Sequence, residues 1–184
     1  MSSDAMAGAD DAPAATPGTV DLADASRRLI EETFNSGKFD LVDQFVAQEA
    51  LNHDPALPAD LRDARGPDAL KRVVTMYREA FPDLRMTVDD VIASGDKVVV
   101  RWHSEGTHRG KLTGLAPTGV HGSVTGISID QWREDKIVET WTEWDNFGLA
   151  RQLGAAPPEG SVGEKIGLGV QQLIARWLRR KNPA

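Results

Sequence analysis

The sequence has no cysteine, which excludes disulfides, thiolate metal ligands and cysteine nucleophiles. Positive charge is also short. Lys and Arg total 21 against 28 Asp and Glu, for a formal net charge of -7 and a pI near 5.1. The basic footprint of a nucleic-acid binder is therefore missing, and no nucleic-acid partner is expected. No apolar run approaches the roughly 18 residues that read as a membrane span. Met1-Ser2-Ser3-Asp4-Ala5 shows neither the basic nor the apolar region of a signal peptide, so a cytoplasmic protein is expected. There is no Gly-x-Gly-x-x-Gly after a strand, no Walker sequence and no serine nucleophile elbow. Of the four histidines, His53 and His121 fall in loop segments. His103 and His108 are five residues apart, which puts them on opposite faces of a regular strand and disfavours a shared metal site. Neither a metal nor a cofactor is expected.

At 184 residues the chain is long enough for one self-sustaining domain with tails. Residues 1–20 are mostly Ala, Gly, Pro, Ser, Thr and Asp, too poor in large apolar groups to offset their ordering entropy, and read as a disordered tail. A domain spanning 21–155 follows. Asp21 can cap a first helix carrying Leu22, Ala25, Leu29, Ile30 and Thr33 at helical spacing, with Gly37 as its end. A second, short helix covers Phe39 to Val46. After a polar loop around Asn52-His53-Asp54-Pro55, Gly66-Pro67 opens a third helix with a stripe of Leu70, Val73, Val74, Tyr77 and Phe81, stopped by Pro82.

From Leu84 the period changes to two. Strands are expected over Met86–Ile92, Lys97–Thr107, Ser123–Trp132 and Lys136–Asp145, with a glycine- and proline-rich loop or flap over 109–120. Residues 147–153 can form a closing helical turn. Three helices followed by an antiparallel sheet of about four strands is an α+β arrangement, helices packed on one face of a curved sheet. Residues 156–163 form a Pro/Gly linker to a helix within 164–184. Its Ile166, Val170, Leu173, Ile174, Trp177 and Leu178 share one face, and it ends in Arg179, Arg180 and Lys181. The ordinary role is packing on its own domain or a dimer mate, with cations at the C-terminus of the helix dipole. Contact with a membrane surface or another protein is the alternative.

The candidate chemistry lies in the last strand. Side chains alternate along a strand, so Glu139, Trp141, Glu143 and Asp145 project together. Pairing the hairpin through a two-residue turn at Glu134-Asp135 sets Asp130 opposite Glu139 and Ser128 opposite Trp141; a bulge would shift that register. Carboxylates that share an apolar pocket raise each other's pKa, as a useful base near neutrality requires. Asp145, at the strand's end, is the prime candidate. Glu139 and Asp130 are possible tuning partners, and Glu143 reads as solvated. Trp102 and Trp141 suit a flat, hydrophobic ligand.

Several blocks together carry a family resemblance. They are Phe34-Asn35-Ser36-Gly37-Lys38-Phe39-Asp40, Asn52-His53-Asp54, Ala80-Phe81-Pro82-Asp83-Leu84 and Val100-Arg101-Trp102. Gly106-Thr107-His108-Arg109-Gly110, Pro117-Thr118-Gly119, Lys136 to Trp141, Trp144-Asp145 and Gln152-Leu153-Gly154 follow in order. This set resembles the SnoaL-like polyketide cyclases of the nuclear transport factor 2-like superfamily. The resemblance implies a cone-shaped α+β barrel around an apolar cavity, a homodimer joined through the sheet, and cofactor-free chemistry. An aspartate matching Asp145 would take an acidic C–H proton from a hydrophobic carbonyl compound, and the enolate would close a ring by aldol attack. His53 would assist, with Trp102, Trp141, Glu139, Asp130 and Arg101 against the substrate. The cyclases also place a histidine on the preceding strand, where this chain has Ile129-Asp130-Gln131. Isomerisation, epoxide hydrolysis and a non-catalytic binding or assembly module are the alternatives.

Overall fold

A computed structural model describes residues 20–181; the tail expected over 1–20 lies, but for its last residue, outside them. Helix α1 spans Leu22–Ser36. The Asp21 carboxylate accepts from the backbone N–H of Ala23 and Asp24, and Gly37 closes the helix in the left-handed region at φ 67°. Helix α2 (Phe39–Phe45) runs directly into strand β1 (Val46–His53). After the short α3 (Ala59–Arg62) comes α4 (Gly66–Ala80), with Pro67 in its first turn. Strands β2 (Arg85–Ser94), β3 (Lys97–Thr107), β4 (His121–Arg133) and β5 (Lys136–Trp144) follow. Helices α5 (Asn146–Gln152) and α6 (Val162–Lys181) complete the described chain.

The fold is α+β with helices on one face of a curved mixed sheet, and the sheet has five strands rather than about four. Their order is β1-β5-β4-β3-β2, with β1 parallel to β5 and every other pair antiparallel. The additional strand is β1. Its sequence hides it because the register with β5 shifts between Val46 and Leu51, so buried Val46 and Ala50 do not alternate with polar residues at a steady period of two. Buried side chains of α1, α2 and the inner sheet face form the main core, including Leu29, Val42, Phe45, Val98, Val100 and Trp132. A second cluster joins the end of α4 and the 108–120 loop to α5 through Phe81, Leu112, Leu149 and Leu153. That loop is tied down: Arg109 and Gly110 N–H both donate to the Ala80 carbonyl at 2.9 Å. His108, fully buried, packs against the Phe81 ring.

The β4–β5 hairpin decides which side chains meet. Its turn residues Glu134 and Asp135 both have positive φ, and a bulge intervenes between Gln131 and Trp132. Asp130 therefore pairs with Thr140 and Ser128 with Thr142, whereas Gln131 faces Glu139 and Ile129 faces Trp141. This corrects the pairing inferred from sequence by one residue. Since side chains alternate, a one-residue slip exchanges the faces. Thr140, Thr142 and Trp144 turn inward with Ser128 and Asp130; Glu139, Trp141 and Glu143 turn outward.

Candidate functional site

Between the helices and the inner sheet face lies a cavity of about 170 Å³, close to the ~150 Å³ that accepts one benzene ring. Its walls are predominantly apolar: Leu29 and Phe34 from α1, Leu70 and Val73 from α4, Met86 from β2 and Ile137 from β5 all contribute. Trp102 lies across β4 at Gly126, where an added Cβ would come within 2.3 Å of the indole. Its Nε1 donates to Ser128 Oγ at 3.1 Å, and Ser128 Oγ lies 3.1 Å from Thr142 Oγ1. A short polar seam thus crosses an otherwise oily wall.

Asp130 lines the same cavity from β4 and is only 4% exposed. Its Oδ2 accepts from the Ser26 hydroxyl at 3.0 Å and its Oδ1 from the Thr140 hydroxyl at 2.8 Å. Loss of water around the carboxylate dominates those two bonds and pushes its pKa up to about 6. Asp54, just past the end of β1, is the second buried acid on the cavity wall. Burial raises its pKa too, opposed by the Ala56 backbone N–H at 2.9 Å and by the Trp144 indole N–H. Tyr77 packs edge-on to Trp144, and burial together with the charge of Asp54 holds its phenol protonated. Asn52 also faces the cavity, and its buried Oδ1 has no hydrogen-bond partner. A second hollow of about 400 Å³ adjoins the first and shares Tyr77, Trp144 and Leu149 with it, beneath Leu112 and Leu115.

The residues chosen from sequence divide between two places. Asp130 and Trp102 reach the cavity. Asp145 does not: it is exposed and caps α5, its Oδ1 accepting from Gly148 N–H at 2.8 Å. His53, Trp141 and Glu139 do converge, but on the outer face of the sheet. There the His53 and Trp141 rings stack at 5.4 Å and 15°, and His53 Nε2 lies 2.7 Å from Glu139 Oε1. Arg101 is likewise outside, bridging Asp89 and Asp90. Asp54, Asn52, Ser128, Thr142 and Tyr77 were not picked out as site residues. Recognising residues 51–53 as a strand would have placed Asn52 inward and His53 outward.

Residues 24–153 match the model of the SnoaL-like polyketide cyclase family. An aklanonic acid methyl ester cyclase of Streptomyces peucetius is 32% identical over 145 residues, covering 74% of this chain and 94% of that protein. A cyclase described by the same words from Streptomyces galilaeus is 29% identical over 137 residues, covering 73% of this chain and 92% of its own. Among solved structures, IdmH of Streptomyces antibioticus, proposed as a polyketide cyclase, superposes with a TM-score of 0.62 at 32% identity. That match covers 73% of this chain and 99% of IdmH. TsrD of Streptomyces laurentii gives 0.63 at 27% identity, covering 72% and 96%.

Proposed function

This chain belongs to the SnoaL-like polyketide cyclase family, and we propose that it closes a ring in a polyketide-like carbonyl compound with Asp130 as the proton-transfer residue. The burial of Asp130 on the wall of a ring-sized apolar cavity carries this reading. A carboxyl poised near 6 is mostly ionised at pH 7, yet becomes a competent acid once it has gained a proton. Asp145 lacks that setting. It is exposed, and its Oδ1 already accepts from the Gly148 N–H of α5.

In the proposed reaction the reacting end of the substrate enters the cavity with its acidic C–H toward Asp130. Ionised Asp130 takes that proton, leaving an enolate. The Thr142 and Ser128 hydroxyls, the Asn52 amide and the Tyr77 phenol are among the polar groups on the cavity wall able to donate to the enolate oxygen. The enolate carbon attacks a second carbonyl of the same molecule, forming the C–C bond, and the resulting alkoxide recovers the proton from Asp130. Atoms and charge balance without a cofactor. The apolar walls exclude the water that would otherwise quench the enolate. A multi-ring substrate exceeds the cavity, and the hollow beneath Leu112 and Leu115 offers room for the remainder.

A homodimer through the sheet belongs to the same proposal. Ile92, Val99, Ile129, Trp141 and His53 pair in succession across all five strands on the outer face. Ile92 is 63% exposed, Ile127 47% and Trp141 37%. A patch of this kind marks an interaction surface.

The test is turnover of an aklanonic acid methyl ester-type substrate by wild type, Asp130→Asn and Asp145→Asn, with thermal melts to confirm folding. Asp130→Asn is expected to abolish cyclisation and Asp145→Asn to retain it. The opposite pattern would transfer the role to Asp145. Ligand binding without turnover by the wild type would make this a binding module.

A further inference from the structure

Helix α6 takes no part in the site, and none of its residues is buried. Of the two ordinary expectations for such a helix, packing on its own domain or on a dimer mate, the structure does not show the first. Seven large apolar side chains from Val162 to Leu178 are each at least 45% exposed: Val162, Ile166, Val170, Leu173, Ile174, Trp177 and Leu178. At ~100° per residue they fill an arc of roughly 160°, with Leu168 the one large apolar side chain of the helix outside it. Lys165, Arg176 and Arg179 lie outside that arc, Arg180 falls on its edge in line with Val162, and Lys181, at its C-terminal end, sits over the Trp177 ring at 4.3 Å. Glu164 is the sole acid of the helix, and Arg151 of α5 engages it. The helix is thus strongly cationic on a chain whose net charge is -7.

We propose that α6 is a membrane-surface helix that lies in the headgroup region of anionic lipid. Three features choose this occupant. The apolar arc is wider than the narrow seam a second helix would cover, and fits a continuous apolar boundary. Its charge complements anionic headgroups, with the cations grouped in the last turns beside an indole, the side chain favoured at such an interface. The helix is also unable to cross the bilayer, since no helix among the described residues is long and apolar enough. Binding in the plane of the surface is the remaining mode. The inference is independent of the reaction proposed above.

The experiment is co-sedimentation of the full chain with phosphatidylcholine vesicles and with vesicles containing phosphatidylglycerol. Wild type is expected to bind the anionic vesicles and to be released by salt, with little binding to the neutral ones. Each basic residue near an anionic surface contributes about fivefold to partitioning, so the triple variant Arg176→Glu/Arg179→Glu/Arg180→Glu should lose at least a hundredfold. Leu173→Asp/Trp177→Asp should abolish binding while the domain melts unchanged. Equal binding of wild type to both vesicle types would overturn the proposal, as would a Leu173→Asp/Trp177→Asp variant that binds like wild type. Absence of vesicle binding, with an oligomer that dissociates on truncation after residue 161, would assign α6 to a second copy instead.

Discussion

The two faces of the β4–β5 hairpin carry carboxylates a few ångströms of backbone apart, yet in opposite circumstances. On the outer face Glu139 meets the His53 imidazole at 2.7 Å in a half-exposed surface pair, where solvent and salt screen whatever the charges gain. On the inner face Asp130 has no cation beside it, only two hydroxyls and the apolar packing around them. The outer acids are more numerous, and the inner one is buried. Removal from water, rather than the count or proximity of acids, produces a carboxyl that exchanges its proton near neutrality.

The largest test of this contrast removes the inner charge. Asp130→Asn keeps the shape, and of the Ser26 and Thr140 hydroxyls one can keep donating to the amide oxygen while the other rotates to accept from its NH2. Cyclisation is expected to fall about a thousandfold, in the range typical of a lost acid/base group. Glu139→Gln, the matching change on the outer face, is expected to leave kcat within about twofold. Steady-state kinetics of the two variants side by side decides it; equal losses would erase the distinction between the faces.

The same contrast predicts a pH dependence. A base must be ionised, so kcat/KM should rise with pH through about 6, and Asp130→Asn should lack that limb. Stability runs the other way. Burial raises the folded-state pKa above its ordinary 3.8, so the folded protein holds this proton more tightly than the unfolded chain. The contribution is complete below 3.8 and lost as pH rises through about 6. The loss amounts to about 3 kcal/mol. Urea melts of wild type from pH 4 to 7 should show this decline relative to Asp130→Asn, in which the group does not titrate. Parallel curves would mean that Asp130 is not buried as described.

Much of this architecture is legible in the sequence because local signals agree with the fold. Asp21 and Gly37 bracket α1, Gly66-Pro67 opens α4, and the Val98-Val99-Val100 run marks a central strand. Two features defeated that reading, and both are bulges. The irregularity between Val46 and Leu51 breaks the period of β1, so a strand that brings Asn52 to the cavity reads as loop. The bulge at Gln131–Trp132 adds one residue to the hairpin pairing and exchanges the faces of β5. A bulge is set by how the strand fits its neighbours and leaves little trace in a two-residue alternation. Trp102 is legible despite this because it does not depend on the β5 register. Asp130 enters the sequence reading through a pairing with Glu139 that the bulge replaces by Thr140, yet it lines the cavity all the same. Asp145, Glu139 and Trp141 depend on the β5 register and lie outside.

A smaller effect is expected where packing rather than charge distinguishes the inner face. Gly126 admits the Trp102 ring, and a methyl group there would press into Cζ2 at 2.3 Å. Gly126→Ala should therefore displace the indole and break its bond to Ser128, destabilising the protein by about 1–3 kcal/mol. Substrate KM should rise more than kcat falls, because the indole forms wall rather than reacting machinery. A crystal structure with Trp102 unmoved would contradict this.

The smallest effect belongs to Asp145, and its smallness is informative. As the cap of α5 it satisfies one backbone N–H, and truncation of such a cap costs about 1 kcal/mol. Gly148 is matched to it, since a Cβ at that position would lie 2.0 Å from Asp145 Oδ2. The carboxylate is thus held against the helix end, facing away from the cavity that Asp130 lines. Asp145→Ala should lower the melting temperature by a few degrees and loosen α5, whose Leu149 closes part of the cavity wall. KM is expected to rise modestly with kcat unchanged. A collapse of kcat in a folded Asp145→Ala protein would show that α5 moves during turnover and brings this acid inward, and the division between inner and outer carboxylates would then hold only for the resting enzyme.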